Sequence, residues 1–350
     1  MASIFEAILV NDPFGDAGLY LDFRFARRAL LFDIGDIGAL PPRKLLRLSH
    51  VFVSHAHMDH FSGFDRLLAL CLNRPQRLQF HGPPGFADRV AHKLCAYSWN
   101  LIAANEVDFV IGVAEFDGDR LTRAAEFHTK DAFQRRDVAA PELPCGVLLD
   151  EEEFCVKATA LDHGIPSLAF ALEEKLRLNV WRDQLEALGL SVGPWLNDLK
   201  AAVRRGAPDE TLFAIPAANT REGQERRMPL GDLKGAILRL GAGEKLAYVV
   251  DAVYHDENAR RIIALARGAD RLFIETVFLD ADKALAARRL HLTAAQAGSL
   301  AREAGVKRLI PFHFSPRYQG REAELRAEAE AAFTGAAVNT DENALASDSD

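Results

Sequence analysis

Residues 49–60 read SHVFVSHAHMDH. Val51-Phe52-Val53 is a short apolar run with β-branched residues, which predicts a buried strand. Directly after it come His55, His57, Asp59 and His60. A loop leaving a strand can turn four such side chains to one side. Imidazole nitrogens and a carboxylate oxygen form the donor set that zinc prefers, at about 2.0–2.2 Å. Packed this closely without a cation, the four would repel one another or stay unpaired. The stretch therefore predicts a metal site at a strand end.

On the N-terminal side, SIFEAILV (3–10), GLYLDFRF (18–25) and ALLFDIGD (29–36) are further β-type runs separated by Asp/Pro/Gly turns. On the C-terminal side, FDRLLALCL (64–72) and FADRVAHKL (86–94) have helical spacing, and FHGPPG (80–85) reads as a turn. The last third alternates strand and helix. EKLAYVVDA (244–252), RLFIETVF (271–278) and VKRLIPFHFS (306–315) read as strands. DENARRIIALARG (256–268) reads as a helix with Asp256 as N-cap. Another opens on a capping box of Thr293 and Gln296 and closes at Gly305. REAELRAEAEAAF (321–333) is a final helix with a polar face. Leu176 to about Met228 breaks this rhythm with Gly193-Pro194-Trp195, the basic helix end KAAVRRG and the polar run NTREGQERR. The acidic tail 336–350 reads as disordered. Strand–helix alternation after a strand-rich start predicts an α/β fold of sheets covered by helices.

The composition is that of a soluble globular chain: 350 residues, 49% hydrophobic and 26% charged. Lys and Arg number 42 against 50 Asp and Glu, a net charge of −8. No global basic field exists, so contact with nucleic acid would need a local patch or metal ions. No run is long and apolar enough for a membrane helix, so no membrane partner is expected. The start, MASIFEAILVNDPFG, lacks the basic region of a signal peptide. Cys71, Cys95, Cys145 and Cys155 form no C-x-x-C pair and read as reduced thiols. The expected location is cytoplasmic.

H-x-H-x-D-H after a strand resembles the metallo-β-lactamase superfamily, which uses it to hold two metal ions. Further candidates follow in the family's order: His163 in LDHGIPSLAF, Asp251 at the end of LAYVVD, and His313 in PFHFSPRY. Asp33 in LFDIGD resembles the family's acidic support of the ligand loop. The resemblance implies a four-layer αββα metallo-β-lactamase fold with an inserted arm. It also implies two zinc ions per chain, with manganese or iron as substitutes. His55, His57 and His163 would hold one ion; Asp59, His60 and His313 the other; Asp251 would bridge them. Ligands spread over residues 55–313 imply one integrated domain, 1–335, with the arm at about 176–228.

Within the superfamily the chain most resembles the ribonuclease Z family, which trims tRNA 3′ ends. PPRKLLRLSHVFVSHAHMDH, HGIPSLAFALEEK, LGLSVGPWLNDLKAAVRRG and HLTAAQAGSLAREAGVKRLIPFHFSPRYQG carry that likeness, over about Ala29 to Gly320. It implies a phosphodiesterase acting on precursor tRNA, with Asp59 as proton acceptor and His291, oriented by Glu275, as the second catalytic group. Lys200, Arg204 and Arg205 would grip tRNA from the arm, and a homodimer is an assembly open to it. The sequence departs from the family pattern at NDPFGDAGLY, where a Gly-rich turn is expected. It departs again at Ala252, usually threonine, and at Ile274, usually histidine. The alternative is another hydrolase of this fold, a small phosphodiesterase or lactonase that does not act on RNA. A non-catalytic binding module fits poorly, because no ligand is missing.

Overall fold

The structure, a computed structural model, describes residues 3–24, 26–102 and 106–336. Eight strands form one mixed sheet in chain order: β1 (Phe5–Leu9), β2 (Leu19–Phe23), β3 (Ala29–Phe32), β4 (Leu48–Phe52), β5 (Arg77–Gly82), β6 (Val110–Phe116), β7 (Leu121–His128) and β8 (Arg135–Val138). The flanks are antiparallel, while β3 to β6 run parallel. Parallel neighbours need crossovers, and helices Phe64–Cys71 and Phe86–Cys95 supply two of them.

The chain continues through β9 (Val147–Asp150), β10 (Phe154–Asp162) and β11 (Pro166–Glu174). Four short strands follow: β12 (Arg177–Val180), β13 (Leu212–Ile215), β14 (Arg226–Pro229) and β15 (Leu238–Gly241). Then come β16 (Lys245–Val249), β17 (Arg271–Glu275) and β18 (Leu309–Phe312). The second sheet has the order β18-β17-β16-β11-β10-β9, with β16, β17 and β18 parallel. Its crossovers are helices Asp256–Ala266 and Ala294–Glu303, and Glu322–Thr334 packs beside the latter.

Strand alternation builds the layers. Leu31 and Val51 face the helices, in one cluster with Leu67 and Val90. Their neighbours Phe32 and Phe52 point to the other face. There they meet Phe170 of β11 and Tyr248 of β16, with ring centroids 5.2–5.8 Å apart. The second sheet's outer face buries Val249, Ile262, Ile274, Leu300 and Leu325 in another cluster. The result is the expected α/β arrangement of helix, sheet, sheet and helix.

The described chain divides into two compact units, where the sequence suggested one integrated domain. One consists chiefly of Leu149–Val156 and Leu172–Lys245; the other takes Phe5–Leu148, Lys157–Ala171 and the chain from Leu246. The insertion therefore runs beyond Met228. Its first strand, β12, pairs with β15, Arg177 against Gly241, and the helix Leu230–Ile237 lies inside that closure. It has its own apolar cluster around Leu185, Trp195, Leu199, Ile215 and Leu233.

Two local expectations are corrected. Phe80–Gly82 end strand β5, so the turn begins only at Pro83. Helix Asp256–Ala266 is capped by His255 rather than Asp256: His255 Nδ1 accepts from Asn258 N at 3.2 Å. The capping box of Thr293 and Gln296 is present. The expected disordered tail lies outside the described residues from 337 onward.

Candidate metal centre and active site

The chemistry-bearing residues stand at or just past the carboxyl ends of strands, the side on which α/β sheets bind ligands. Asp33 follows β3, His55 to His60 follow β4, His163 follows β10, Asp251 follows β16, Glu275 closes β17 and His313 follows β18. Asp33, Asp251 and His313 have φ of 56°, 45° and 57°. In that left-handed region a Cβ costs about 1–2 kcal/mol. Such strain persists where the surroundings over-determine it, and it gathers at functional sites.

Hydrogen bonds behind the cluster fix which nitrogen of each histidine faces inward. Asp33 accepts from Ser54 N at 2.7 Å, Ser54 Oγ at 2.9 Å, Tyr248 OH at 3.0 Å and His60 Nδ1 at 2.9 Å. Ser54 Oγ gives its one proton to Asp33, so it accepts from His55 Nδ1 at 3.0 Å. His163 Nδ1 donates to the Leu290 carbonyl at 2.8 Å. All three rings thus carry their proton on Nδ1 and turn a lone pair on Nε2 inward, the tautomer a metal ligand needs.

Those lone pairs converge on Asp251. Its Oδ2 lies 3.4 Å from His55 Nε2, 3.5 Å from His60 Nε2 and 3.4 Å from His163 Nε2. Its Oδ1 lies 3.1 Å from His313 Nδ1. Asp59 Oδ2 lies 3.5 Å from His60 Nε2 and 3.4 Å from His313 Nε2. His57 packs its ring 4.3 Å from that of His55 and 5.3 Å from that of His163. The donor atoms of His55, His57, His163 and Asp251 all lie within 4.8 Å of one another, as do those of Asp59, His60 and His313. A third such group, Asp251, Glu275 and His313, adds a carboxylate that the sequence reading did not count among ligands.

A divalent cation fits this arrangement. His55 Nε2 and His60 Nε2 are buried and hydrogen-bonded to nothing, which is costly unless another partner takes the lone pair. Burial holds His55, His57 and His163 towards the neutral form. Burial also opposes ionisation of Asp59, and only positive charge beside it, in the place of the His60 and His313 rings, holds the carboxyl well below its usual range. Burial likewise opposes the charge on Asp251, which positive charge in the place of the same two rings must offset. The two carboxylates thus require positive charge beside them, which bound metal ions supply.

His291 stands beside the cluster without joining the three groups. Its Nδ1 lies 2.8 Å from Glu275 Oε2. The other oxygen of Glu275 accepts from Ala252 N at 2.9 Å and Leu292 N at 3.1 Å. Burial disfavours the Glu275 carboxylate, yet the charge and hydrogen bond of His291 hold its pKa down at about 2. In return Glu275 raises the His291 pKa against the effect of burial. His57, Asp59, His163, Asp251, His291 and His313 all line one open cleft of about 610 Å³, which Phe278 and Phe314 also line.

The sequence did not point to Tyr248, Ser54 or the Leu290 carbonyl. Ser54 shares the motif and could have been suspected. Tyr248 reads as ordinary strand core, and nothing local marks its bond to a carboxylate 215 residues away. Lys200, Arg204 and Arg205 lie in the other compact unit, in the last turns of helix Trp195–Arg204 and at its C-cap. Arg204 is nearly buried and paired with Glu153 at 2.5 Å, so its charge is committed within the chain. Lys200 is half-buried, and its pKa is lowered by burial and then by Arg204. Arg205 is exposed, 3.5 Å from Glu152. Asp150, Glu152 and Glu153 thus each pair with a basic side chain.

Comparison with known proteins agrees with this geometry. Residues 177–314 match the beta-lactamase superfamily domain. The chain is 32% identical over 326 residues to the ribonuclease Z of Deinococcus radiodurans, covering 92% of each chain. It is 39% identical over 222 residues to that of Thermobifida fusca, covering 63% of this chain and 61% of the relative. Among solved structures it resembles the metallo-beta-lactamase fold protein YhfI from Bacillus subtilis. The TM-score there is 0.52 at 16% identity, over 94% of this chain and 92% of the other, a likeness of fold alone. With 32% identity to the Deinococcus radiodurans relative over 92% of each chain, and with H-x-H-x-D-H, His163, Asp251 and His313 meeting at strand ends, the chain belongs to the ribonuclease Z family of the metallo-β-lactamase superfamily.

Proposed function

We propose that the protein is a metal-dependent endoribonuclease that cuts the 3′ extension from precursor tRNA. The observation that carries this reading is one cleft, in a ribonuclease Z family chain, where the histidine–aspartate cluster meets the His291–Glu275 pair. We assign two zinc ions, one to His55, His57 and His163, one to Asp59, His60 and His313, with Asp251 between them. When bound, such a pair lowers the pKa of water and stabilises charge on a phosphoryl group. Asp59, which lines the cleft beside His57 and His313, accepts the proton of the attacking water. Glu275 holds His291 by Nδ1, which leaves Nε2 to stabilise the transition state or protonate the leaving oxygen.

The insertion is assigned to tRNA binding through its exposed face, with Arg205 as a contact and Lys200 beside it. Arg204 instead fixes the end of its helix through Glu153. We place the protein in the cytoplasm, in keeping with four cysteines that form no disulfide. A homodimer is the assembly that light scattering would test.

The functional test compares a 3′-extended precursor tRNA with bis(p-nitrophenyl) phosphate. The reading expects cleavage of both, and loss of both in His57→Ala. Hydrolysis of the small ester alone would overturn the RNA assignment in favour of a small phosphodiesterase.

A further inference from the structure

Two arginines line the cleft beside the groups already described, Arg289 and Arg317. Arg317 Nη1 lies 3.3 Å from Asp282 Oδ2, and its guanidinium sits 5.7 Å from the centre of the Tyr318 ring. Its charge is therefore engaged within the chain. Arg289 is exposed at the end of helix Lys283–Arg289, and among the described residues no carboxylate pairs with it. An unpaired guanidinium in a cleft that also holds Asp59 and Asp251 is suited to an anion brought by a ligand.

The backbone under Arg289 is anchored on its C-terminal side. Leu290 takes the left-handed conformation, φ 62°, and its carbonyl holds His163 Nδ1 at 2.8 Å. His291 follows, with its N–H bonded to the Ala286 carbonyl at 3.0 Å and its ring bonded to Glu275. Three consecutive residues thus face one cleft or support it. The last is the proposed acid, the middle one orients a metal-cluster histidine, and the first offers a free fork of donors. A guanidinium matches two oxygens of a phosphate, with hydrogen bonds about twice as strong as neutral ones. A neutral lactone would have no use for it.

The geometry points to Arg289 as the phosphate-binding group of this cleft: it takes a phosphodiester neighbouring the one being cut and so sets the register of the chain in the site. This rests on the reading of the protein as an endoribonuclease and names the subsite that reading needs.

Arg289→Ala, Arg289→Lys and Arg288→Ala test it, the last removing an adjacent exposed cation that does not line the cleft. Metal content and unfolding temperature are checked for each. With metal present, Arg289→Ala should lower kcat/KM on precursor tRNA roughly 10- to 100-fold, the range for losing one hydrogen bond to a charged group. Arg289→Lys should recover part of that loss, and Arg288→Ala should match wild type. In excess chelator, binding of the same labelled RNA is read by anisotropy against salt. Removing one phosphate contact should make the log–log slope shallower by roughly 0.7–0.9 for Arg289→Ala. Wild-type affinity and slope in Arg289→Ala, or equal losses in Arg288→Ala, would overturn the assignment. Failure of the wild type itself to cleave or bind RNA would instead overturn the endoribonuclease reading.

Discussion

Asp33 shows how much of the site rests on groups that touch no substrate. Four donors meet its carboxylate, one of them the ring nitrogen that turns His60 inward. Asp33→Ala leaves those donors buried and frees the His60 ring. Metal affinity should then fall about 10- to 100-fold, as for other outer partners of ligating histidines, read by competition with a chelator of known affinity. Unchanged affinity would mean that packing alone orients the ring. His291 makes the complementary case. His291→Ala should keep its metal by elemental analysis while turnover falls roughly 10²- to 10⁴-fold, the usual range for one acid or oxyanion donor. A variant that lost its metal would make His291 a ligand; one with wild-type turnover would remove it from the mechanism.

The elements carrying these residues meet with almost no clearance where the β3 loop crosses the ligand loop. A Cβ on Gly63 would lie 2.3 Å from the Gly35 carbonyl oxygen, and one on Gly35 would lie 2.0 Å from that of Asp59. Both obstacles are backbone and cannot swing aside. Gly63→Ala should therefore cost about 1–3 kcal/mol, visible as a drop of several degrees in unfolding temperature together with weaker metal binding. A wild-type melting curve would show that the loops can separate freely. These loops were legible in the sequence because histidines and aspartates directly follow short apolar runs, so strand and ligand announce each other. The insertion's far end was not. LGDLKGAILRLG (230–241) passes from helix to strand between Ile237 and Leu238 with no proline or glycine to mark the change. Its pairing with β12 joins residues about sixty positions apart, which local patterning cannot register. The cap of helix Asp256–Ala266 is hidden in the sequence for a different reason. Asp256 is a good capping type, but the chain is still extended at His255, whose ring nitrogen reaches Asn258 first.

Across the whole molecule the net charge of −8 gives RNA no general attraction, so binding must come from local groups and metal ions. Val180 pairs with Leu238 across the neck of the insertion, so residues 181–237 can be replaced by a short turn. Nearly all of the insertion's apolar cluster leaves with them. The shortened protein should keep its metal and hydrolyse bis(p-nitrophenyl) phosphate within a few-fold of wild type. Its kcat/KM on precursor tRNA should fall tenfold or more, each tenfold being about 1.4 kcal/mol of binding. Equal losses on both substrates would make the insertion a support of the fold instead. The account's central claim is that the histidine–aspartate cluster holds the metal that makes this chain a tRNA-cutting enzyme. The measurement that bears on it most directly is a zinc titration of metal-stripped protein, following release of the 3′ extension from precursor tRNA. The account predicts no cleavage in chelator, then activity that rises with added zinc and saturates near two ions per chain. Full cleavage by the stripped protein in excess chelator, or no cleavage at any zinc content, would contradict it.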